Sequence, residues 1–526
     1  MLHFESWKNR TKDYIALSFF ACAFLFNNTA CNNNLLMSQE EMAAKLRLQL
    51  LADSAQDAHQ YLGRFISNNV DSLDADKLVS KYYQEGNDWV WMVDEESFMQ
   101  KAETIADFLE CEVQKIGFNP QAFYTAEIRK EIQHFRTLDF DSTHTSVKET
   151  MARLELKLSK AYIRYALGQR YGFINPHKVF NRLERRKEGG FRIVYDIPIE
   201  QPDKDFCKLA LSHATDNEPT NYLIALESQH PVYQQLKQRL QTDSTDKGWK
   251  LILCNMERLR WRHVQQIDSS QRNVFVNSPS QTLWAISPDS VFSMPICCGA
   301  WSTKTPLLTS QIRLIQLNPE WNIPSSILRD EVSPHAGDSS YFARNNYFII
   351  QRSTGDTISP KRITSSQLRS GAYRVTQYSG QRNSLGRLIF RFNNQFDVYL
   401  HDTNNRKAFN YVKRTISHGC VRIQRPFDMV KFLMPNAEEW TLDKIRMNID
   451  MNPESIRGRR YKHEHADDDD PLQSIKMTHT NVTPNVPLAI DYYTLYPNPE
   501  TGQWETWPDR YEYDIQIERH IKPFMP

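Results

Sequence analysis

A strand–turn–strand pattern that leads into a loop bearing histidine and cysteine constrains the fold more than any other feature of the sequence. Leu388–Phe392 and Phe396–His401 are short segments in which apolar residues alternate with others, as in β-strands. Asn393-Asn394 between them predicts a hairpin turn. The tetrapeptide Ser417-His418-Gly419-Cys420 follows, and Pro426 then suits the first position of a helix. We therefore predict that the cysteine lies on a loop between a sheet and a helix.

His401 and Cys420 are the candidate catalytic pair of this region. By strand alternation, His401 projects from the face opposite to Val398 and Leu400. A cysteine nucleophile needs a base, a group that orients the base, and donors for the oxyanion that forms. An unperturbed thiol is ionised only to a small extent at neutral pH, so a partner must take its proton. A single cysteine is more often a small buried apolar residue, so the prediction depends on the whole string.

That string resembles the catalytic signature of the L,D-transpeptidases, the YkuD-type enzymes of peptidoglycan. The resemblance is carried by a histidine at a strand end, a gap, and Ser417-His418-Gly419-Cys420. Two further strings, Asn383-Ser384-Leu385-Gly386-Arg387 and Asn318-Pro319-Glu320-Trp321-Asn322-Ile323-Pro324, resemble the large multidomain periplasmic branch of that family. Many members carry Asn two positions after the cysteine, where this chain has Arg422.

The resemblance implies a catalytic role for five residues. Cys420 is the expected nucleophile, and His401 is the expected proton acceptor and donor. The backbone carbonyl of Asp402 is expected to orient the imidazole of His401. His418 and the backbone N–H groups of Gly419 and Cys420 are expected to shape the oxyanion hole.

Four other residues are candidates for substrate binding. Arg422 could hold a carboxylate of the stem peptide by a bidentate contact, and a structural ion pair is the alternative. Ser417 and Tyr399 flank the nucleophile and the base in sequence, and Trp321 lies in the second family-like string.

The resemblance also implies the reaction. The cysteine attacks the peptide carbonyl of the diamino acid at the third position of a peptidoglycan stem and expels the terminal D-alanine. The side-chain amine of a second stem then resolves the thioester and forms a cross-link between third residues. The expected partners are stem peptides and glycan strands, carbapenems are expected to acylate the same cysteine, and no cofactor or metal is expected.

Alternatives from other classes stay open beside this prediction. If water replaces the acceptor amine, the enzyme is an L,D-carboxypeptidase or a hydrolase that releases wall-tethered protein, and the motif is the same for both. A non-catalytic wall-binding scaffold is disfavoured by the intact motif. A papain-like amidase is disfavoured because its base lies far downstream of the cysteine, whereas His401 precedes Cys420.

The N-terminus has the pattern of an export signal. Basic residues precede an apolar run from Tyr14 to Phe26 that is short for a membrane span. Ala30-Cys31 resembles a lipoprotein processing site, although Asn28 stands where such sites prefer Leu. We predict a signal over residues 1–31 and export to the periplasm or cell envelope, and a lipid anchor at Cys31 stays open.

The remaining pattern predicts a multidomain α+β protein. Residues 38–215 are predicted to form a helical scaffold domain. Residues 216–265 are predicted to be a small, separate helical unit in which Gly248 breaks the chain between two helices. The resemblance suggests that this unit binds peptidoglycan, and a spacer or partner surface is the alternative.

Residues 270–526 are predicted to form a mainly β catalytic domain of the YkuD type. Its strands are interrupted at about residues 323–370 by an insertion that could cover the site as a lid. An acidic stretch at about residues 452–473 is predicted to be a flexible linker, because such charge runs are usually solvated. A C-terminal hairpin is predicted after it.

Length and charge limit the broad class. A chain of 526 residues is too long for one core, and two to four domains are expected. Lys plus Arg (64) against Asp plus Glu (63) gives a formal net charge of +1, which argues against broad electrostatic binding of nucleic acid. The eight cysteines include no CxxC pair, so a structural zinc site is not expected.

Overall fold

The computed structural model describes residues 58–68, 71–92, 98–140, 146–186, 189–242, 245–263 and 270–526, together with Met42 and Lys45. The predicted signal over residues 1–31 and the candidate anchor Cys31 lie outside the described residues. Within the described ranges, no helix combines the length and the apolar character needed to cross a membrane.

The N-terminal part is an array of helices. A helix over residues 58–68 precedes α1 Asp74–Gln84, α2 Phe98–Lys115, α3 Thr125–Thr137, α4 Val147–Tyr171, α5 Pro176–Phe180, α6 Phe206–Ala214, α7 Pro219–Ala225, α8 Pro231–Leu240 and α9 Asp246–Arg260. The long helix α4 is buried along most of its length, so it forms the centre of the array. Ser146 caps it by accepting a hydrogen bond from the Glu149 N–H.

The helices predicted as a separate unit over residues 216–265 have no core of their own. Leu223 of α7, Tyr233 of α8 and Leu253 of α9 belong to the same buried cluster as Leu158 of α4. Short amphipathic helices cannot bury their apolar faces alone, which explains why they join the larger array. Gly248 does not break the chain, because it lies in the first turn of α9, where its N–H donates to the capping hydroxyl of Thr245.

The C-terminal part is built on one large sheet. Its strands are β1 Tyr195–Asp196, β2 Asn273–Asn277, β3 Thr282–Ile286, β4 Val291–Gly299, β5 Leu307–Leu317, β10 Leu388–Phe392, β11 Leu400–His401, β12 Thr415–Ser417, β13 Val421–Ile423 and β14 His479–Asp491. The four strands between β5 and β10 in the chain form a second sheet. The order in the large sheet is β1-β5-β10-β11-β13-β4-β3-β2-β14, with β12 beside β4.

This sheet closes into a ring, because β14 pairs with both β2 and β5. Its interior holds a buried apolar cluster that includes Val274, Val276, Phe390 and Leu400. Phe275 points the opposite way and joins the core of the helical array. Because side chains alternate along a strand, β2 is buried on both faces and ties the two parts of the protein together.

The insertion predicted as a lid is a subdomain with its own core. It contains β6 Trp321–Asn322, α10 Ser325–Ile327, α11 Ser339–Arg344, β7 Tyr347–Gln351, β8 Thr357–Ile358, α12 Ser365–Arg369 and β9 Tyr373–Gln377. The four strands form a separate sheet in the order β6-β9-β7-β8. Its apolar cluster, which includes Val332, Phe342 and Ile349, is distinct from that of the large sheet. We call residues 321–377 the capping subdomain.

The predicted flexible linker over residues 452–473 contains a helix. Helices α13 Pro426–Leu433 and α14 Glu439–Asn448 are followed by α15 Ile456–Glu464. The carboxylate of Asp443 in α14 accepts the N–H groups of Glu454 and Ser455 at 2.8 and 2.9 Å, and Ser455 caps α15. These contacts hold the start of the segment, so the prediction of a wholly flexible linker was wrong.

The C-terminus closes the chain with a hairpin and a helix. Strands β15 Leu495–Pro497 and β16 Trp504–Thr506 pair antiparallel, and α16 Tyr513–Ile521 follows. Arg258 of α9 forms an ion pair with Asp514 of α16 at 2.6 Å. The C-terminal segment therefore packs on the helical array as well as on the sheet.

Candidate active site

Two neighbouring strands bring the predicted base and nucleophile to one face of the sheet. Strand β11 pairs parallel with β13, so that His401 lies opposite Arg422. The N–H of Val421 donates to the carbonyl of Tyr399 at 3.0 Å, which fixes this register. Paired residues point to the same face of a sheet, and residues two apart on a strand share that face. Cys420 therefore lies diagonally opposite His401.

The strand that carries the histidine is shorter than its alternation predicts. Asp397 has φ +52°, so the chain turns there, and regular pairing begins only at Leu400. The side chain of Asn394 accepts the N–H groups of Phe396 and Val398 at 2.9 and 3.1 Å and stabilises this turn.

His401 is a buried imidazole held by the backbone. Its Nδ1 lies 2.5 Å from the carbonyl oxygen of Asp402. Burial, and then the charge of Arg422, lower the pKa of His401 to about 4, although backbone hydrogen bonds to Asp402 and Leu385 oppose the shift. The ring is therefore neutral at pH 7, and with Nδ1 donating, Nε2 keeps the lone pair that a general base needs.

The residue that orients the histidine is itself fixed. The Asp402 carboxylate accepts the Arg387 N–H at 2.9 Å and a hydrogen bond from Arg406 at 2.8 Å. A Cβ placed on Gly386 would lie 2.4 Å from the Asp402 carboxyl carbon, and Gly386 has φ +65°. Glycine at this position lets the chain pass close to Asp402.

The surroundings of Cys420 favour the thiol over the thiolate. Its Sγ lies 3.7 Å from the carbonyl oxygen of Asp397. Burial raises the pKa of the Cys420 thiol, and the Asp397 charge adds to this, whereas the Tyr399 N–H and Arg422 favour the thiolate. No hydrogen bond joins Cys420 to His401 in the described part of the chain. Catalytic hydrogen bonds often tighten only when substrate binds.

The loop that carries the cysteine is closed by its own side chains. The buried Ser417 hydroxyl donates to the Cys420 carbonyl at 2.6 Å and accepts the Gly419 N–H at 3.2 Å. Thr305, which is fully buried, donates to the Gly419 carbonyl at 2.8 Å. Ser417, predicted as a substrate-binding residue, therefore uses its hydroxyl within the loop.

The three expected oxyanion donors differ in their surroundings. The Gly419 N–H already contacts Ser417. The imidazole of His418 points to the capping subdomain, where Nε2 lies 2.7 Å from Glu331 Oε1. For the Cys420 N–H, the described residues provide no acceptor. Of the three, it is the donor that is free to meet a developing negative charge.

Arg422 lies beside the candidate nucleophile, and no carboxylate of the described residues pairs with it. Its Nε is buried and has no hydrogen-bond partner among the residues that the structure describes. Burial lowers the pKa of its guanidinium, and the groups that oppose this are the thiols of Cys297 and Cys420. A structural ion pair, the alternative expectation for this residue, is not formed within the described ranges.

The two aromatic candidates lie in different places. Tyr399 is next to the site, with its ring 4.6 Å from the Arg391 guanidinium carbon and its N–H directed at the Cys420 sulfur. Trp321 lies on β6 and packs against the core of the capping subdomain. The structure therefore gives Trp321 a packing role and does not bring it to Cys420.

Sequence reasoning missed Glu331, Asp397 and Thr305 as parts of the site. Thr305 stands in a Thr-Pro string that could have drawn attention to it. Glu331 lies 87 positions from His418, and no local pattern connects the two.

Two parts of the chain match known protein-family models. Residues 271–442 match the family model YkuD, described as an L,D-transpeptidase catalytic domain. The chain contains a YkuD-family L,D-transpeptidase domain. Residues 76–240 match a second model, described as a scaffold domain. The predicted family and the α+β fold class are confirmed.

A protein of Haemophilus influenzae named "Putative L,D-transpeptidase" is 27% identical to the chain over 325 residues. The match covers 60% of this chain and 60% of that protein.

The scaffold domain braces the L,D-transpeptidase domain behind the catalytic loop. Glu184 lies 2.5 Å from the ammonium of Lys304, the residue before Thr305. Arg192 forms an ion pair with Glu184 at 3.1 Å and donates to the Lys304 carbonyl at 2.8 Å. Both scaffold residues therefore support the segment that holds Gly419.

Proposed function

We propose that the protein is a peptidoglycan L,D-transpeptidase that forms cross-links between the third residues of stem peptides through an acyl-enzyme on Cys420. One observation carries the proposal. A buried neutral histidine, His401, is oriented by a backbone carbonyl on the same sheet face as a loop cysteine, within an L,D-transpeptidase domain. This arrangement supplies the nucleophile, the base and the group that orients the base.

In the first half-reaction, the Cys420 thiol gives its proton to Nε2 of His401 as sulfur attacks the carbonyl carbon of the third residue. A C–S bond forms, and the oxyanion meets the Cys420 N–H. When the C–N bond breaks, the imidazolium returns the proton to the leaving amine, and D-alanine departs. The low pKa of His401 favours this return, because a weakly basic imidazole is a strong acid once protonated.

In the second half-reaction, the side-chain amine of an acceptor stem attacks the thioester. A C–N bond forms, the C–S bond breaks, and the electron pair returns to sulfur. One N–H proton of the amine passes through His401 to the sulfur, which leaves an amide and restores the Cys420 thiol. Water in place of the amine would give the tripeptide, which is the product of the carboxypeptidase alternative.

Arg422 is the proposed donor-binding cation. Its guanidinium lies beside the nucleophile, and the described residues provide no carboxylate for it. A carboxylate of the donor stem can fill this place with two parallel hydrogen bonds.

The proposed location is the periplasm or cell envelope. The basic and apolar N-terminal pattern supports export, and Ala30-Cys31 supports a lipid anchor. Glycan strands and their stem peptides are the proposed partners, and carbapenems are proposed to acylate Cys420.

The test mixes the purified chain with disaccharide-tetrapeptide and reads the products by mass spectrometry, with Cys420→Ala in parallel. A cross-linked dimer that has lost one D-alanine, absent with the variant, supports the proposal. Tripeptide without dimer supports the carboxypeptidase, and unchanged substrate with both proteins overturns enzymatic activity. A carbapenem adduct on the wild-type chain but not on Cys420→Ala checks the nucleophile independently.

A further inference from the structure

Glu331 of the capping subdomain contacts the loop that carries Cys420. Glu331 lies on a single π-helical turn, Leu328–Val332, and its Oε1 is 2.7 Å from Nε2 of His418. Such turns are frequent at functional sites. His418 comes two residues before Cys420. The side chains of Glu331 and His418 are 54% and 50% exposed, so a molecule bound over the loop can reach both.

A positively charged and a negatively charged side chain, Arg422 and Glu331, lie on different sides of the loop that carries Cys420. On the sheet side, Arg422 is a guanidinium that no carboxylate pairs with in the described part of the chain. On the side of the capping subdomain, Glu331 has a partner, His418, that is a cation only when protonated. No lysine or arginine of the described ranges pairs with Glu331, whereas Asp402 is neutralised by Arg406 at 2.8 Å.

The two substrates of the proposed reaction differ in charge in the same way. The donor stem ends in a carboxylate. The acceptor attacks with a side-chain amine, which is an ammonium ion at neutral pH. An ammonium group carries three donors and binds best to a carboxylate. Tyr341 lies beside Glu331, with its hydroxyl 3.5 Å from the Glu331 carbonyl.

We propose that Glu331 binds the side-chain ammonium of the acceptor stem and positions it for attack on the thioester at Cys420. The inference rests on the proposed function and specifies its acceptor side. Glu331 is thereby the residue that favours transfer to an amine over transfer to water. The capping subdomain contributes it, so the acceptor site is complete only when this subdomain lies against the catalytic loop.

The proton balance of this step uses residues already in place. The bound ammonium gives one proton to His418, whose cation Glu331 then stabilises. The amine lone pair attacks the carbonyl carbon, and a C–N bond replaces the C–S bond. The second N–H proton passes through His401 to the departing sulfur and restores the Cys420 thiol. His418 then releases its proton to solvent.

Glu331→Gln tests the charge separately from the contact. The glutamine keeps an oxygen that can accept a hydrogen bond from His418 but cannot neutralise an ammonium. The full chain is incubated with disaccharide-tetrapeptide, and D-alanine, tripeptide and dimer are quantified. We expect D-alanine release to persist and the dimer-to-tripeptide ratio to fall about tenfold or more, the effect of losing one charge-assisted hydrogen bond.

Matched variants make the result decisive. Asp330→Asn removes the neighbouring carboxylate and should keep the wild-type ratio; an equal loss there would overturn the inference. The inference would also be overturned if Glu331→Gln kept the wild-type dimer-to-tripeptide ratio and only Glu331→Ala lowered it. The contact of this side chain, and not its charge, would then matter. A loss in Asp397→Asn but not in Glu331→Gln would place the acceptor at the other carboxylate near Cys420. If the wild-type chain releases no D-alanine, the proposed function itself fails, and that outcome is distinct from all of these.

Discussion

The hydroxyl of Thr305 donates to the carbonyl oxygen of Gly419 at 2.8 Å, across 114 positions of sequence. The hydroxyl oxygen of Thr305 also accepts a hydrogen bond from the Gly299 N–H at 2.8 Å. One buried side chain thus connects strand β4 to the residue before the nucleophile. Because Thr305 is fully buried, it holds the loop from the protein interior, and the loop geometry is set before substrate binds.

Thr305→Val should therefore impair both stability and activity. Valine has nearly the same shape but leaves the Gly299 N–H and the Gly419 carbonyl without their partner, at a cost of about 1–3 kcal/mol. We expect a lower midpoint of chemical denaturation and a lower kcat with little change in KM. Thr305→Ser, which keeps the hydroxyl, is the control and should retain most activity. An active Thr305→Val with unchanged stability would contradict this role.

The acid limb of the pH–rate profile should lie nearer pH 4 than pH 6.5. His401 has an ordinary pKa of 6.5 that burial, and then Arg422, lower to about 4. Since the neutral ring is the proposed base, kcat/KM should persist below pH 6.5 and fall only as the pH approaches 4. The unfolded chain binds a proton at this histidine between those values, so stability also declines as the pH falls from 6.5 to 4.

Arg422→Met separates the two causes of that shift. Removal of the positive charge should move the acid limb to higher pH, while burial keeps it below 6.5. The position of the limb is the readout, because loss of the proposed donor-binding cation should lower the rate at every pH. Arg425→Met is the control and should leave the limb in place. A limb that stays near pH 4 in Arg422→Met would show that the guanidinium does not act on His401.

The sequence predicted local elements and the motif well, because both depend on near neighbours. The structure confirms the predicted bounds of the strand Leu388–Phe392 and the predicted helix start at Pro426. The family signature itself lies within a short stretch, so its residues could be named without knowledge of the fold. One local prediction, the chain break at Gly248, was wrong because of a side chain. The hydroxyl of Thr245 caps the helix by accepting the Gly248 N–H, which keeps Gly248 inside it.

The rest depended on contacts between distant segments. Nothing near Glu331 in the sequence indicates that it meets His418, and nothing near Glu184 indicates that it meets Lys304, 120 positions away. Trp321 was predicted as a substrate-binding residue because of its family-like string, yet its partly buried side chain packs against the core of the capping subdomain. Pattern alone does not separate a packing aromatic from a binding one.

Gly386→Ala should disturb the orientation of the base. The added methyl group would lie 2.4 Å from the Asp402 carboxyl carbon, in a backbone conformation with φ +65°. We expect backbone strain to lower the free energy of unfolding by about 1–3 kcal/mol. We also expect a lower kcat, because Asp402 must move and its carbonyl holds His401. The measurements are chemical denaturation and D-alanine release.

Gly371→Ala is the matched control for that variant. Gly371 has φ +79°, and a Cβ there meets no atom within 4 Å. It should show the cost of strain while kcat stays at the wild-type value. Equal kcat losses in the two variants would argue against a specific effect on Asp402.

The ion pair that joins the scaffold to the catalytic domain should respond unequally to removal of its two partners. Lys304 has a side chain only 4% exposed, whereas that of Glu184 is 20% exposed and also pairs with Arg192. Glu184→Gln leaves the buried ammonium of Lys304 without its carboxylate. We expect this to lower the free energy of unfolding by about 3 kcal/mol. Lys304→Met removes the buried charge itself, and Glu184 keeps Arg192, so the loss should be smaller by at least about 1 kcal/mol. Chemical denaturation of both variants checks the order.

Glu184→Gln should also lower kcat, although Glu184 belongs to the scaffold domain, because its partner Lys304 directly precedes Thr305. A destabilised variant with wild-type kcat would show that this ion pair supports the fold without positioning the catalytic loop.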